Sequence, residues 1–403
     1  MERRRLLVAD HVSKVLGGAE INVVELLGHP EVRKRWDVTV ACAPGSPLDA
    51  ALTELPFPRV PYGFAASLNE LRIVGRGFSP LGKLRGYLEL RRASARLSEI
   101  LAAVRPESVL TPTNKDHFAA GAAARRAGIP SFWWVNDLIT AEFFNWPVRH
   151  LFAAKARRLA HRLVPVSEAG AEALRAHGIP GTRIRVVQNG IPLERYRRNP
   201  ARPLRAELGI GPGEPLIGMA GRITPWKGQA LFLDVADDWV RSGRPGRFVI
   251  IGRAFNEDAP FEAALRERLG AGPLAGRASI VPFQPDIASA LSSLDVLLHT
   301  SLKAEPFGRV LIESMAVGTP VVAARAGGVT GILRDGVDGH LVAPGDRSAY
   351  VSALGSILAT PELQRDYAGR AAERVREQFS LDRVFADFDS LLDPHARPAP
   401  RTA

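Results

Sequence analysis

The chain has 403 residues, too many for one ordinary core, so two domains are the expectation. Its 46% hydrophobic and 24% charged content excludes a disordered chain, and a single cysteine, Cys42, excludes a disulfide framework or a cysteine-built metal site. The net charge of +11 lies almost wholly in residues 1–195: either it draws anionic partners such as lipid headgroups, or it is the solvated surface of an arginine-rich chain, and without interleaved aromatic and basic motifs no nucleic acid is expected.

Arg3-Arg4-Arg5 precedes only Leu6-Leu7-Val8-Ala9 before Asp10. That run is too short for a signal-peptide core and reads as a first buried strand. No stretch of about 18 apolar residues occurs, so no spanning helix is expected. With one cysteine, a reducing compartment fits, and a cytoplasmic location is the expectation. Short apolar runs at 6–9, 38–41, 108–111, 131–135 and 163–166 then alternate with helical patterns at 19–27, 81–104, 119–127, 149–161 and 168–177. This alternation predicts βαβ units on a parallel sheet. Residues 186–192 end in turn chemistry, and the polar, proline-bearing 197–203 reads as a linker. The pattern restarts with strands at 216–220, 247–251, 278–281, 296–299, 320–323 and 340–342, and helices at 229–242, 261–269, 286–292, 308–317 and 348–358. Residues 362–392 read as a helical tail, and the proline-rich 394–403 as disordered.

Three motifs carry chemistry. Gly17-Gly18-Ala19-Glu20 sits between the first strand and the first helix, where glycines allow close backbone approach and free N–H groups offer an anion site. Gly221-Arg222-Ile223-Thr224-Pro225-Trp226-Lys227-Gly228 repeats that placement in the second half, with two cations bracketing a helix start. Such a pair suits a diphosphate leaving group, whose charge grows as its bond breaks. The segment Glu305-Pro306-Phe307-Gly308-Arg309-Val310-Leu311-Ile312-Glu313 places one carboxylate before a helix and one inside it. Eight helical residues span about 12 Å, more than the roughly 5–9.5 Å of a glycosidase pair, so two separate jobs fit better than paired hydrolysis. Asp387-Phe388-Asp389 has the D-x-D form of a metal motif but lies on an amphipathic tail helix with Phe388 inward. No other carboxylate or histidine cluster has ligand spacing, and no metal is expected.

Together these segments resemble the retaining GT-B glycosyltransferases of family 4. The resemblance is carried also by Val166-Ser167-Glu168, by Val187-Gln188-Asn189-Gly190-Ile191, and by Glu313-Ser314-Met315-Ala316 with the Gly318–Ala323 and Gly327-Gly328 that follow. It implies an α/β fold of two Rossmann-like domains facing across a cleft. The expected division is an acceptor domain over 1–196, a donor domain over 197–377, and a C-terminal helix at about 378–393 crossing back onto the first domain. Arg222 and Lys227 would hold the donor diphosphate, with Gly221 at the turn. Glu305 would contact the transferred sugar beside Phe307, Gly308, Arg309 and Val310, and Glu313 would bind the ribose hydroxyls. Gly17 and Gly18 would approach the phosphates, and Arg253 and Phe283 would lie near the base.

The sequence departs from the family at one position. Where many members carry a histidine, Phe132-Trp133-Trp134-Val135 is followed by Asn136-Asp137. Asn114 and His117 are the remaining acceptor-side candidates, His117 as a loop residue. The implied activity is metal-independent, cofactor-free transfer from a UDP-sugar, or next a GDP-sugar, to a sugar, lipid-linked or natural-product hydroxyl. The basic N-terminal half would allow peripheral contact with an anionic membrane at its inner face. A nucleotide-sugar epimerase, a phosphorylase and a non-catalytic sugar-nucleotide-binding protein are the alternatives.

Overall fold

The computed structural model describes residues 3–12, 16–64, 80–270 and 272–392. The tail expected to be disordered, 394–403, lies outside the described residues. The chain forms two compact units, residues 1–189 with 381–403, and residues 190–380.

In the first unit the strands are β1 Arg4–Asp10, β2 Trp36–Cys42, β3 Arg59–Pro61, β4 Ser108–Thr111, β5 Ser131–Val135 and β6 Arg162–Pro165. They form one sheet in the order β3-β2-β1-β4-β5-β6, and every pairing is parallel. Parallel strands are covered on both faces, so β4 and β5 are buried at every residue rather than at alternate ones. The helices are α1 Gly18–Gly28, α2 Pro30–Arg35, α3 Pro47–Ala51, α4 Pro80–Val104, α5 Asn114–Ala127, α6 Trp146–Leu159 and α7 Glu168–Ala176. The short α2, α3 and β3 carry no periodicity to read. What starts α2 and α3 is capping: His29 and Ser46 side chains accept from backbone N–H groups, and proline follows each. Helix α5 begins five residues earlier than the apolar pattern at 119–127, because Thr113 is its cap and Asp116 lies in its first turn. His117 is therefore a helix residue, not a loop residue.

The second unit repeats the plan with β7 Leu216–Ala220, β8 Arg247–Ile251, β9 Ala278–Val281, β10 Val296–His299, β11 Val321–Ala324 and β12 His340–Val342. Their order, β12-β11-β10-β7-β8-β9, is the order of the first sheet read from the opposite edge. The helices are α8 Pro203–Glu207, α9 Gln229–Arg241, α10 Ala259–Leu269, α11 Ile287–Ser292, α12 Arg309–Ala316, α13 Val329–Ile332, α14 Arg347–Ala359 and α15 Pro361–Gln378. In each sheet the strand order reverses at one place, between β1 and β4 and between β7 and β10. Loops leaving the carboxyl ends of strands at such a point diverge to opposite faces and open a ligand crevice. The expected linker 197–203 is folded onto this unit: Arg202 pairs with Asp295 at 2.7 Å, and Asn199 Nδ2 donates to Ser289 at 2.8 Å.

The tail is not one helix over 362–392. It divides at Phe379-Ser380 into α15 and α16 Leu381–Leu391. The fully buried Phe379 packs against Phe307, and its carbonyl accepts from Ile191 N–H at 2.9 Å instead of continuing the helix ladder. Helix α16 belongs to the first unit. There Phe388 meets the indole of Trp134 with centroids 4.6 Å apart, and Asp389 accepts from Arg4, Arg35 and Trp36 Nε1. Those donors make Asp389 an anchor for the helix, so Asp387-Phe388-Asp389 has a structural part and not that of a metal motif.

Candidate functional site

The two motif-bearing loops of the second unit leave β7 and β10, the neighbours at its reversal point. Gly228 ties them together. It adopts φ +80°, and a Cβ there would stand 1.9 Å from the Thr300 carbonyl oxygen. Thr300 Oγ1 donates to Gly228 O at 2.9 Å, and Leu302 N–H donates to Trp226 O at 2.8 Å. This brings Lys227 onto Glu305 as an ion pair, with its ammonium also 4.6 Å from the centre of the Trp226 ring.

Glu305 is nearly buried, and three donors converge on one of its oxygens. Oε1 accepts from Lys227 Nζ, from Ser301 Oγ at 2.8 Å, and pairs with His299 Nε2 at 3.0 Å. Oε2 accepts no hydrogen bond from a described residue. Burial by itself would raise this carboxyl, but the Lys227 charge and the His299 contact outweigh it and hold Glu305 well below the usual carboxylate range. The loop is pinned from behind: Gly328 N–H donates to Glu305 O at 2.8 Å, and a Cβ on Gly327, at φ +62°, would lie 2.2 Å from that same oxygen.

Helix α12 starts at Gly308 and buries Glu313, which a sequence reading alone leaves free to face solvent. Glu313 Oε1 accepts from Arg309 Nε at 2.7 Å and from Tyr196 OH at 3.0 Å, and its other oxygen has no partner among the described residues. The Arg222 side chain is exposed and makes no hydrogen bond or ion pair among the described residues. Its backbone carbonyl accepts from Gln229 Nε2 at 2.9 Å. Arg253, stacked on Phe255, and the largely exposed Phe283 follow the carboxyl ends of β8 and β9. Gly221, Arg222, Lys227, Arg253, Phe283 and Glu305 thus come from the same carboxyl edge; Phe307 and Gly308 lead into α12, and Arg309, Val310 and Glu313 lie on it. His299, Ser301 and Tyr196 were missed in the sequence. His299 and Ser301 lie two residues apart at the end of β10, a spacing that puts both on one side, whereas Tyr196 is 117 residues from its partner and gave no local signal.

In the first unit the glycine motif behaves differently from expectation. Gly17 caps α1, but its N–H is not free for an anion: it donates to the Glu20 carboxylate at 2.7 Å. A like charge already occupies that helix start. Gly18 has open space where a Cβ would stand. Asn114 Nδ2 donates to Asp137 at 2.7 Å, and the Asn136 amide is spent on the carbonyls of Pro112 and Trp134. His117 is removed from any acceptor: it is fully buried, stacked on Trp133 with centroids 5.0 Å apart and bonded to Thr111 at 2.7 Å. Burial drives its pKa down to about 3, so it is a neutral core residue.

The residues that do converge at the β1–β4 reversal are Asp10, His11 and Asp116, with ligating atoms within 4.8 Å of one another. Sequence spacing hid this cluster, because its members lie 105 residues apart. Asp116 accepts four hydrogen bonds, from His11 N–H at 3.0 Å, His11 Nδ1 at 2.7 Å, Thr113 Oγ1 and Tyr62 OH at 2.8 Å. Three of these fall on Oδ2, and Tyr62 OH alone on Oδ1. Burial would raise Asp116, yet His11 and the two hydroxyls outweigh it and keep the group ionised.

Residues 16–195 match the family described as Glycosyltransferase Family 4, and residues 201–374 that described as Glycosyl transferases group 1. The D-inositol 3-phosphate glycosyltransferase of Nocardia farcinica is 33% identical over 217 residues, 53% of this chain and 48% of that protein. The corresponding protein of Segniliparus rotundus is 35% identical over 215 residues, 52% and 46% of the two chains. The chain spans about half the length of the curated relatives it matches. Among solved structures, HepE of Anabaena in complex with UDP and glucose superposes with a TM-score of 0.82 at 22% identity, covering 97% of this chain and 99% of that one. Sucrose-phosphate synthase from Thermosynechococcus elongatus gives 0.76 at 19%, covering 96% and 98%. Two parallel six-stranded sheets of one topology, each matched by its half of the same family pair and superposing on these structures, show that the chain belongs to the GT-B glycosyltransferases of family 4, group 1.

Proposed function

We propose that the protein moves a sugar from a nucleoside diphosphate sugar to a hydroxyl of a polyhydroxylated acceptor, with retention at the anomeric carbon and without a metal. The observation that carries this reading is the Glu305 carboxylate, anchored through one oxygen by Lys227, His299 and Ser301. Its other oxygen is left to bind hydroxyls of the transferred sugar. Lys227 has three N–H donors, so pairing with Glu305 leaves two for a phosphate oxygen. Arg222, without a side-chain partner among the described residues, supplies a second, bidentate grip. Glu313, oriented by Arg309 and Tyr196, takes the ribose diol through its remaining oxygen, and Arg253 and Phe283 flank the base.

No carboxylate in this reading acts as a nucleophile. The acceptor oxygen forms its bond to the anomeric carbon on the face from which the diphosphate leaves. The bond from that carbon to the phosphate oxygen breaks, and its electron pair departs with the nucleoside diphosphate. A departing phosphate oxygen takes the acceptor proton, while Lys227 and Arg222 stabilise the growing charge. UDP is the first choice of nucleotide, because HepE was crystallised with it. A cyclitol or sugar acceptor is favoured by the name of the Nocardia and Segniliparus relatives.

Thermal shift with UDP, GDP and dTDP tests the donor, since a ligand of the folded state raises stability by mass action. UDP is expected to give the largest shift. Arg222→Ala and Lys227→Ala are each expected to lower turnover of UDP-glucose by about 10²–10³, the usual loss for one oxyanion donor. Turnover near the parent's in both variants removes the diphosphate assignment.

A further inference from the structure

We propose that Glu20 makes the first unit selective for charge: the polyol it takes as acceptor carries an ammonium group, and a phosphorylated polyol is turned away. The proposal rests on the transferase reading above and names the chemical class of its acceptor.

The helix start of α1 is the first observation. A start opened by two glycines ordinarily suits an anion, through free N–H groups and the positive end of the helix dipole. Here that place is filled from within the chain. Glu20, in the first turn, reaches back to accept from Gly17 N–H at 2.7 Å, and a Cβ on Gly17 would crowd the same oxygen at 2.8 Å. A phosphate arriving there would find the N–H donor taken and meet a fixed negative charge, the repulsive element that sets one ligand apart from another.

The second observation is what surrounds Glu20. Four carboxyl groups from four segments gather at the carboxyl end of the first sheet: Asp10 ends β1, Glu20 opens α1, Asp116 lies in the first turn of α5, and Asp137 follows β5. Burial raises the Glu20 carboxyl, two backbone N–H groups and His11 pull it down, and the Asp137 charge pushes it up again. Burial likewise raises Asp10, helped by the charges of Asp116 and Glu20. Of the basic neighbours, Lys115 acts on Asp116, and His11 is bonded to it at 2.7 Å. The first half of the chain is basic as a whole, so an acidic edge here is a local departure from it.

The third observation is which oxygens stand unmet. Asp116 takes four donors, but the other carboxyl groups fall short. Asp137 is exposed and spends one oxygen on Asn114 at 2.7 Å, and its other oxygen has no hydrogen bond among the described residues. Glu20 Oε1 takes no hydrogen bond from another described residue, and Asp10 Oδ2 is buried without a partner. Carboxyl oxygens short of donors in a buried setting are costly. An ammonium relieves them with three N–H donors and the opposite charge. A hydroxyl brings one donor and no charge, and a phosphate dianion brings neither donor nor favourable sign.

Calorimetry on the full chain tests the proposal with two sets of polyols that differ chiefly in charge. One set is scyllo-inosamine, myo-inositol and 1D-myo-inositol 3-phosphate, and the other is glucosamine, glucose and glucose 6-phosphate, each titrated with and without saturating UDP. In the set that binds, the amine is expected to be held about tenfold or more tighter than the phosphate, with the neutral member between. The preference narrows as sodium chloride screens the field. Glu20→Gln removes the charge and keeps the reach to Gly17 N–H, since glutamine serves that helix position as well. It is expected to shrink the amine-over-phosphate ratio about tenfold, while the UDP thermal shift stays within about 1 °C of the parent's. If Glu20→Gln does not fold, Asp137→Asn takes its place with the same expected fall in the ratio. A phosphate bound as tightly as its amine overturns the proposal, as does a failure of both sets to bind. A variant that weakens amine and phosphate alike also overturns it, because a merely structural cap leaves the ratio unmoved. Absence of any UDP shift in the parent would instead sink the transferase reading, and the charge preference is then decided by polyol binding alone.

Discussion

Glu305 receives three donors on one oxygen, and each variant of that set has a distinct expected outcome. His299→Ala removes one of the three contacts and leaves the Lys227 ion pair. It is expected to lower kcat about tenfold with the UDP thermal shift retained, measured as UDP release from UDP-glucose. Glu313→Ala strips the carboxylate from Arg309 and Tyr196. Binding of UDP, measured by calorimetry, is expected to weaken at least tenfold, while binding of inorganic pyrophosphate, which lacks the ribose, is unchanged. His117 gives a pH prediction. Its folded pKa of about 3 lies below the unfolded value near 6.5. Above pH 6.5 both states are neutral and nothing is lost. From there down to about pH 3 only the unfolded state takes the proton, so stability falls by about 1.4 kcal/mol per pH unit. His117→Gln is expected to flatten the fall of Tm between pH 6.5 and 4, and an unchanged slope would remove the buried-neutral assignment. Glu305 has the opposite history: its depressed pKa adds stability above the unfolded value near 4.5, lost only as pH drops below it.

Among the elements, α16 is the one whose sequence is most ambiguous and whose packing is most specific. Its Asp387-Phe388-Asp389 could be a metal motif, a solvated face or an anchor until Arg4, Arg35 and Trp36 are placed around Asp389. Phe388 is fully buried against Trp134. Phe388→Ala is expected to cost about 3–5 kcal/mol, as large aromatic truncations in cores do. Urea denaturation followed by Trp fluorescence reads it, since the affected indole is Trp134. The β7 and β10 loops are joined by a contact no side chain permits, because a Cβ at Gly228 would overlap the Thr300 carbonyl. Helix α4 presents Leu84, Tyr87 and Leu88 to solvent on one face, with Arg91 over the Tyr87 ring a turn later. The i, i+3, i+4, i+7 spacing puts these four side chains on one face of the helix.

For the molecule as a whole, the two units are expected to respond unequally to ligand. If the donor site is built from residues 190–380, UDP raises hydrogen-exchange protection there first, and protection confined to residues 1–189 would contradict the assignment. The basic excess of the N-terminal half and the α4 face together predict adsorption to phosphatidylglycerol vesicles at low salt. It should weaken as sodium chloride shortens the Debye length, and pelleting that ignores salt would argue against an electrostatic surface.

The sequence by itself determined the class of fold. Apolar runs alternating with helical periods are local signals, read within ten or so residues, and they placed every strand of the two sheets except β3, and the loops bearing Lys227 and Glu305. The short α2, α3 and β3 escaped because three to six residues hold too little periodicity, and the break at Phe379 escaped because it is made by Ile191, far away in the chain. Only the tertiary structure decided which charges meet. It gave Glu305 to Lys227 and His299, closed the Gly17 helix start with Glu20, buried His117, and brought His11 onto Asp116. The physical reason is range. Strand and helix propensities act between near neighbours in the chain, whereas ion pairs and hydrogen-bonded dyads depend on which strand ends lie side by side in the sheet, and that is set by topology.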